Sequence, residues 1–292
     1  YVAVDSRQSL FFENRHDGTF EETGMIAGCA FSENGSEQAG MGVAVADYDN
    51  NGWLDIFKTN FQDDTCNLYQ NTGSGGFRDV AVRAGLAVNT QYVNWGAGFV
   101  DVDNDGWVDI FHVTGHVYPR AEATIGVPLK TPRLVYHNQG DGRFRDVSAR
   151  MGPGVTQRFA SRGCAFGDYD NDGDVDVVVL NMNDRPSLLR CDSKTGNNWI
   201  TLKLIGSKSN RSAIGARARV TAGGKVQINE VHSGSSVMSQ SDLRLHFGLR
   251  KSKKVDLLEI FWPASGLVEE FTDLKPNQIL TIKEGSGILE SK

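Results

Sequence analysis

Apolar residues in this chain come in short runs, and the runs recur. Gly42-Val-Ala-Val-Ala46 and Ile56-Phe57 bracket a polar stretch from Asp47 to Asp55, and similar runs bracket Asp101 to Asp109 and Asp168 to Asp176. Runs this short, bounded by Gly, Asn and Asp, read as strands joined by tight turns. A second recurring phrase comes before each polar stretch. Asn14-Arg-His-Asp-Gly-Thr-Phe20, Asn71-Thr-Gly-Ser-Gly-Gly-Phe77 and Asn138-Gln-Gly-Asp-Gly-Arg-Phe144 keep Asn, Gly and Phe at fixed offsets, with an aromatic (Phe12, Tyr69, Tyr136) two residues ahead of each Asn. Each is predicted to be a β-hairpin whose glycine supplies the positive φ of the tip. A degraded copy begins at Leu188-Leu-Arg-Cys191, with Cys191 in the Asn position, and the repeats stop near residue 195.

Successive copies of the hairpin start 57, 67 and 53 residues apart, and each period holds one polar stretch and one hairpin. Four strands per period is the content of a propeller blade. Three periods give about three blades; since a ring takes about 4 to 8, residues 7–25 read as the tail of a further blade and more blades are expected upstream. From Asn197 the repeat vanishes. Seven strand-like segments follow, among them Trp199 to Leu204, Ala216 to Val220, Lys225 to Val231, Leu243 to Phe247 and Val255 to Trp262, with a hairpin signal at Gly223-Gly224. The expected architecture is all-β: propeller repeats over 1–195, then a small β-sandwich over 196–292.

Composition agrees. Of 292 residues 33 are Gly and 7 are Pro, and the 39% hydrophobic and 23% charged fractions are those of a globular protein. No apolar run is long enough to span a membrane, and no basic stripe marks a nucleic-acid surface. The first residues, Tyr1-Val-Ala-Val-Asp-Ser, show neither an initiator Met nor the regions of a signal peptide, so they read as a mature or cut form.

The formal charge is −6, and the acids concentrate in the three polar stretches, where three divalent cations would neutralise it. Each stretch has acidic or amide side chains at positions 1, 3, 5 and 9 and Gly at position 6. Calcium takes about 6 to 8 hard oxygen ligands. The side chains of Asp47, Asp49, Asn51 and Asp55; of Asp101, Asp103, Asp105 and Asp109; and of Asp168, Asp170, Asp172 and Asp176 are the candidate donors, with the carbonyls of Trp53, Trp107 and Asp174 at position 7. The metal-free alternative is a set of Asx turns, but four crowded carboxyls repel one another without a cation. An EF-hand is excluded because position 12 is Lys58, His112 or Val179 instead of Glu. Three structural calcium ions are therefore expected, the first loop binding most weakly because Asn51 replaces a carboxylate.

Residues 7–195 resemble the FG-GAP or VCBS repeats of integrin-like propellers. Residues 197–284 resemble the ASPIC/UnbV domain, on Gly196-Asn-Asn-Trp199, Lys208-Ser-Asn-Arg-Ser-Ala-Ile-Gly-Ala216, Val231-His-Ser-Gly-Ser-Ser236, Ser239-Gln-Ser-Asp-Leu-Arg-Leu-His-Phe-Gly248 and Glu259-Ile-Phe-Trp-Pro263. Together they look like a bacterial relative of the cartilage acidic proteins. The resemblance implies a secreted or cell-surface protein with a calcium-stabilised propeller, and no catalytic residues.

The second period is lengthened by an insertion running from His112-Val-Thr-Gly-His-Val-Tyr-Pro119 to Pro132, on the rim opposite the acidic loops, and the family carries a similar Gly-His-Val-Tyr-Pro stretch. His112, His116 and Tyr118 are the ligand-face candidates, though two histidines without a third ligand are more often ordinary loop and strand residues. Cys164 is expected to be a buried thiol, and Cys29 and Cys66 to pair as a disulfide. Nucleophile-elbow, zinc-protease and P-loop motifs are missing. The reading is a non-enzymatic, calcium-binding extracellular or periplasmic scaffold that recognises a protein or glycan through propeller loops. The alternative is the accessory part of a secreted carbohydrate-active enzyme.

Overall fold

Short apolar runs alternating with turns build sheets with little else, and a computed structural model, which describes residues 1–291, is nearly all-β. Strands β1 (Phe12–Asn14) and β2 (Phe20–Glu22) form a lone hairpin. Next come two four-stranded antiparallel blades in sequence order: β3 (Val43–Ala46), β4 (Asp55–Lys58), β5 (Asn67–Asn71) and β6 (Phe77–Asp79), then β7 (Asn94–Val100), β8 (Asp109–Thr114), β9 (Leu134–Asn138) and β10 (Phe144–Asp146). A three-stranded blade, β11 (Ser161–Gly167), β12 (Asp176–Asn181) and β13 (Ser187–Leu189), completes this part. Its fourth strand is lost where the hairpin phrase degrades at Cys191. The acidic stretches join the first and second strands of each blade, and the hairpin phrases join the third and fourth.

The inner strands β3, β7 and β11 lie side by side, so the blades stack face to face as in a propeller. The repeat explains the packing. Phe57 and Leu68 of the first full blade bury against Ala97, Ile110, Leu134 and Tyr136 of the second. One period later Phe111 and Val135 bury against Cys164, Val177 and Val179 of the third. Val178 and Leu188 hold the same offsets in the third blade and are 42% and 59% exposed.

Beyond the blades stand β14 (Asn198–Ile205), β15 (Arg217–Ala222), β16 (Lys225–Glu230), β17 (Leu245–Arg250), β18 (Val255–Phe261), β19 (Val268–Leu274), β20 (Gln278–Lys283) and β21 (Gly287–Ser291). They form two four-stranded sheets, β17-β14-β20-β21 and β16-β15-β18-β19, which share one core around Trp262, Leu202 and Leu258. The eighth strand escapes a count based on alternation because Ile288 and Leu289 are adjacent and both exposed on a sheet edge.

The segment between β16 and β17 runs along the inner strands of the blades. Val43 and Ser236 exchange backbone hydrogen bonds, and the Asp242 amide donates to the Phe166 carbonyl at 2.8 Å. Gly248 of β17 sits against the second acidic loop: a Cβ there would overlap Asp101 Oδ2 and lie 2.6 Å from the Asn104 backbone. Gly248→Ala is therefore expected to cost about 1–3 kcal/mol through overpacking, measured by urea unfolding; an unchanged midpoint would mean that the sheets do not seat here.

The expected Cys29–Cys66 disulfide is not formed, and all four cysteines are free. Cys29 packs with Ile56 and Tyr69 on one face of the first full blade, whereas Cys66 packs with Phe57 and Leu68 on the other. The sheet stands between them. Cys164 is buried, as expected.

Candidate metal centres

Each acidic loop reverses through a left-handed residue at position 4, namely Asn50, Asn104 or Asn171 with φ of 54°, 57° and 61°, followed by a positive-φ glycine at position 6. Asn tolerates this conformation better than other residues with a Cβ, because its short side chain can bond locally. The turn brings backbone N–H groups under the first carboxylate. Asp47 accepts from Asn51 and Gly52 at 2.9 Å each; Asp101 accepts from Asp105 and Gly106, and Asp168 from Asp172 and Gly173. The ninth residue is held with equal regularity. Asp55 takes the amides of Tyr48 and Asn71, Asp109 those of Val102 and Asn138, and Asp176 those of Tyr169 and Cys191.

This second set explains the recurring hairpin Asn. Its amide anchors the ninth carboxylate, its side-chain N–H reaches the position-8 carbonyl (Leu54 or Val108), and its Oδ1 caps its own turn at Gly73 or Gly140. Cys191 retains the backbone bond alone among these three.

In the first loop oxygens of Asp47, Asp49 and Asp55 lie within 4.8 Å of one another, and in the third those of Asp168, Asp170 and Asp176 do the same. In the second loop Asp101, Asp103 and Asp105 form one such group and Asp103, Asp109 and His137 another. Asn51 and Asp172 turn Oδ1 toward the amides of Trp53 and Asp174 at 2.8 and 2.9 Å. The Asp174 carboxylate, outside the expected donor set, binds Asn104 Nδ2 and the Ser193 amide.

These bonds resemble Asx turns, yet they leave capacity. A carboxylate has about four lone-pair sites, and two amide donors occupy half of them. Burial, with repulsion from neighbouring acids, pushes Asp47 up to about 6, Asp55 to about 8 and Asp109 to about 7, and raises Asp101 well above the carboxylate range. Asp168 and Asp176 rise for the same reason. A neighbouring cation favours ionisation of such carboxyls, as their amide hydrogen bonds do, and clustered carboxylate oxygens suit calcium.

His137 escaped the sequence reading. Its Nε2 lies 3.2 Å from Asp103 Oδ2, a contact that holds Asp103 below the usual carboxylate range and lifts the imidazole to about 9. The signal was positional. The residue before the hairpin Asn, or before Cys191, meets the position-3 acid of every loop: Gln70 bonds Asp49, and Arg190 stands 4.0 Å from Asp170.

The opposite rim is less open than its sequence suggests. His112 is buried between the first two full blades, stacked on Tyr136 at 5.4 Å, with neither ring nitrogen bonded. His116 is also buried; its Nε2 pairs with Gln62 Oε1 at 2.8 Å and its Nδ1 accepts the Tyr118 amide. Of these three candidates only Tyr118 is exposed, at 62%.

Residues 1–57 and 131–179 match the FG-GAP-like repeat, and residues 206–289 match ASPIC and UnbV. The chain carries FG-GAP-like repeats and an ASPIC and UnbV domain. The FG-GAP-like matches cover the first and third acidic loops, and the ASPIC and UnbV match covers most of the paired four-stranded sheets. Across 275 residues the chain is 26% identical to cartilage acidic protein 1 of Homo sapiens, covering 89% of this chain and 38% of that protein. The Mus musculus protein of the same name is 25% identical over 281 residues, with the same shares. The chain thus spans well under half the length of these relatives.

Proposed function

We propose that the three acidic loops hold structural calcium ions in a non-enzymatic, extracellular scaffold. The observation that carries this is the threefold recurrence of clustered, buried carboxylates held by loop amides; His137 beside Asp103, Arg190 beside Asp170 and Arg250 beside Asp105 offset only part of that charge. Asp47, Asp49, Asn51 and Asp55, with the Trp53 carbonyl, would hold the first ion. Asp101, Asp103, Asp105, Asp109 and the Trp107 carbonyl would hold the second, and Asp168, Asp170, Asp172, Asp176 and the Asp174 carbonyl the third. Calcium supplies the positive charge that these buried groups lack. The blades at 1–195 serve in this reading as the recognition part and residues 196–292 as an accessory sandwich. Likeness to cartilage acidic protein 1 supports the scaffold role and a secreted, periplasmic or cell-surface address. The partner is a protein or glycan met on the rim of Tyr118, where adhesion is the natural use of exposed loops on a rigid frame. Metal analysis of the natively purified chain is expected to find three calcium ions per molecule, and none would overturn the reading. On glycan and protein arrays, Tyr118→Ala is expected to weaken capture about tenfold, within the range of an aromatic hot spot; equal capture would remove Tyr118 from the partner surface.

A further inference from the structure

The loops are not independent. The position-4 asparagines of the first two loops leave their own turns for the neighbour: Asn50 Nδ2 donates to the carbonyl of Gly106 at 3.3 Å, and Asn104 Nδ2 to that of Gly173 at 3.1 Å. Both acceptors are position-6 glycines of the next loop. Bonds also run backward. Asn138 Nδ2 donates to the position-2 carbonyl of Tyr48 at 2.9 Å, and Cys191 Sγ reaches the position-2 carbonyl of Val102 at 3.5 Å. At the third loop no further blade follows, and Arg244 of the ASPIC and UnbV domain takes that place. It donates to Asn171 Oδ1 at 2.6 Å and to the carbonyl of Asp168.

Asn104 is the hub. It is buried, and its side chain is fully engaged: Nδ2 on the third loop, Oδ1 accepting from His246 Nε2 at 2.7 Å, while its carbonyl accepts the Arg250 amide at 2.9 Å. Lys225 Nζ donates to the Gly106 carbonyl and lies 3.5 Å from the Trp107 ring centroid. The second loop therefore cannot change shape without disturbing both neighbours and the docked sheets.

We propose that the three loops load calcium as one cooperative unit, and that the same relay of Asn50, Asn104 and Arg244 seats the ASPIC and UnbV domain on the blades only when the loops are loaded. This rests on the calcium reading above. An ion that orders one loop fixes its position-4 side chain and its position-6 carbonyl, and so lowers the entropic cost of ordering the next loop. Asn50, Asn104 and Arg244 are positioning residues, outside the donor set.

Calorimetric titration of calcium into the chelator-stripped full chain tests this, paired with hydrogen exchange at the amides of Ser236, Asp242 and Arg250, which donate to carbonyls of the blades. Three ions entering with a Hill coefficient of about 2, in step with new protection of these three amides, is the expected result. Asn104→Gly keeps the left-handed backbone but deletes the relay. It is expected to bind three ions with a coefficient of about 1, the steps separating and the Asn51 loop filling last. Arg244→Ala, which lies outside the loops and guards against a folding defect in the first variant, is expected to retain three ions and lose the calcium-dependent protection. Three independent ions in the unaltered chain, or protection already complete without calcium, would overturn the coupling and leave the calcium reading standing. No binding at all would overturn both.

Discussion

If the three loops hold calcium as proposed, removing it is expected to lower the melting temperature of this protein by roughly 15–30 °C. A cation bound only by the folded state stabilises it by about 2.7 kcal/mol at a hundredfold excess over its dissociation constant. Three such ions contribute roughly 8 kcal/mol, against a total stability of about 5–15 kcal/mol for most folded proteins. At about 2–4 °C per kcal/mol for a unit of this size, the shift falls in the stated range. The physical origin lies in the ninth carboxylates. Asp55, Asp109 and Asp176 are each 2% exposed or less, and each ties the start of its loop to the hairpin of the same blade. Without a cation, mutual repulsion and burial work against their ionisation and the ties loosen. Differential scanning calorimetry with and without chelator measures the effect, and superimposable scans would sink the structural role of the ions.

The spacing of the acids was legible because a tight turn gathers them locally: positions 1, 3 and 9 meet in the first and third loops, and positions 1, 3 and 5 in the second. The blades were legible for a similar reason: Phe57 and Phe111 recur at one offset, in short runs that are buried along their whole length. What crosses between repeats was not. Asn50 and Asn104 are visible as position-4 residues, but their left-handed backbone explains them locally, and nothing within a single repeat shows that the side chain serves the next one. His137 was hidden because Gln70 and Arg190 fill its slot elsewhere, so no residue type repeats there. Cys29 and Cys66 were expected on the same face of one blade, but they pack in different clusters on either side of it. The pleat and the sheet put them on opposite faces.

His112 makes stability fall as the solution turns acid. Burial pushes this imidazole down to about 3, while in the unfolded chain it titrates near 6.5. Between those values the unfolded state binds the extra proton, so stability is fully present above about 6.5 and is lost as pH falls, at about 1.4 kcal/mol per pH unit. By pH 5 the loss from this one residue reaches about 2 kcal/mol. The ring also carries a constant penalty, since neither nitrogen has a partner and a buried unsatisfied polar group costs about 1–3 kcal/mol. His112→Phe keeps an aromatic ring between Phe57 and Tyr136 and removes both effects. With calcium saturating, urea unfolding is expected to show the variant about 1 kcal/mol more stable at pH 7.5 and about 3 kcal/mol more stable at pH 5. Comparing the two proteins at each pH cancels the titration of the acidic loops and of His246, whose imidazole burial also pushes down, to about 4. A gap that stays constant from pH 8 to pH 5 would show that His112 does not titrate across the folding transition. A variant less stable at every pH would mean that a partner reaches the imidazole in solution, and the natural one is a water bridging toward Asp146, the acid whose charge favours its protonated form.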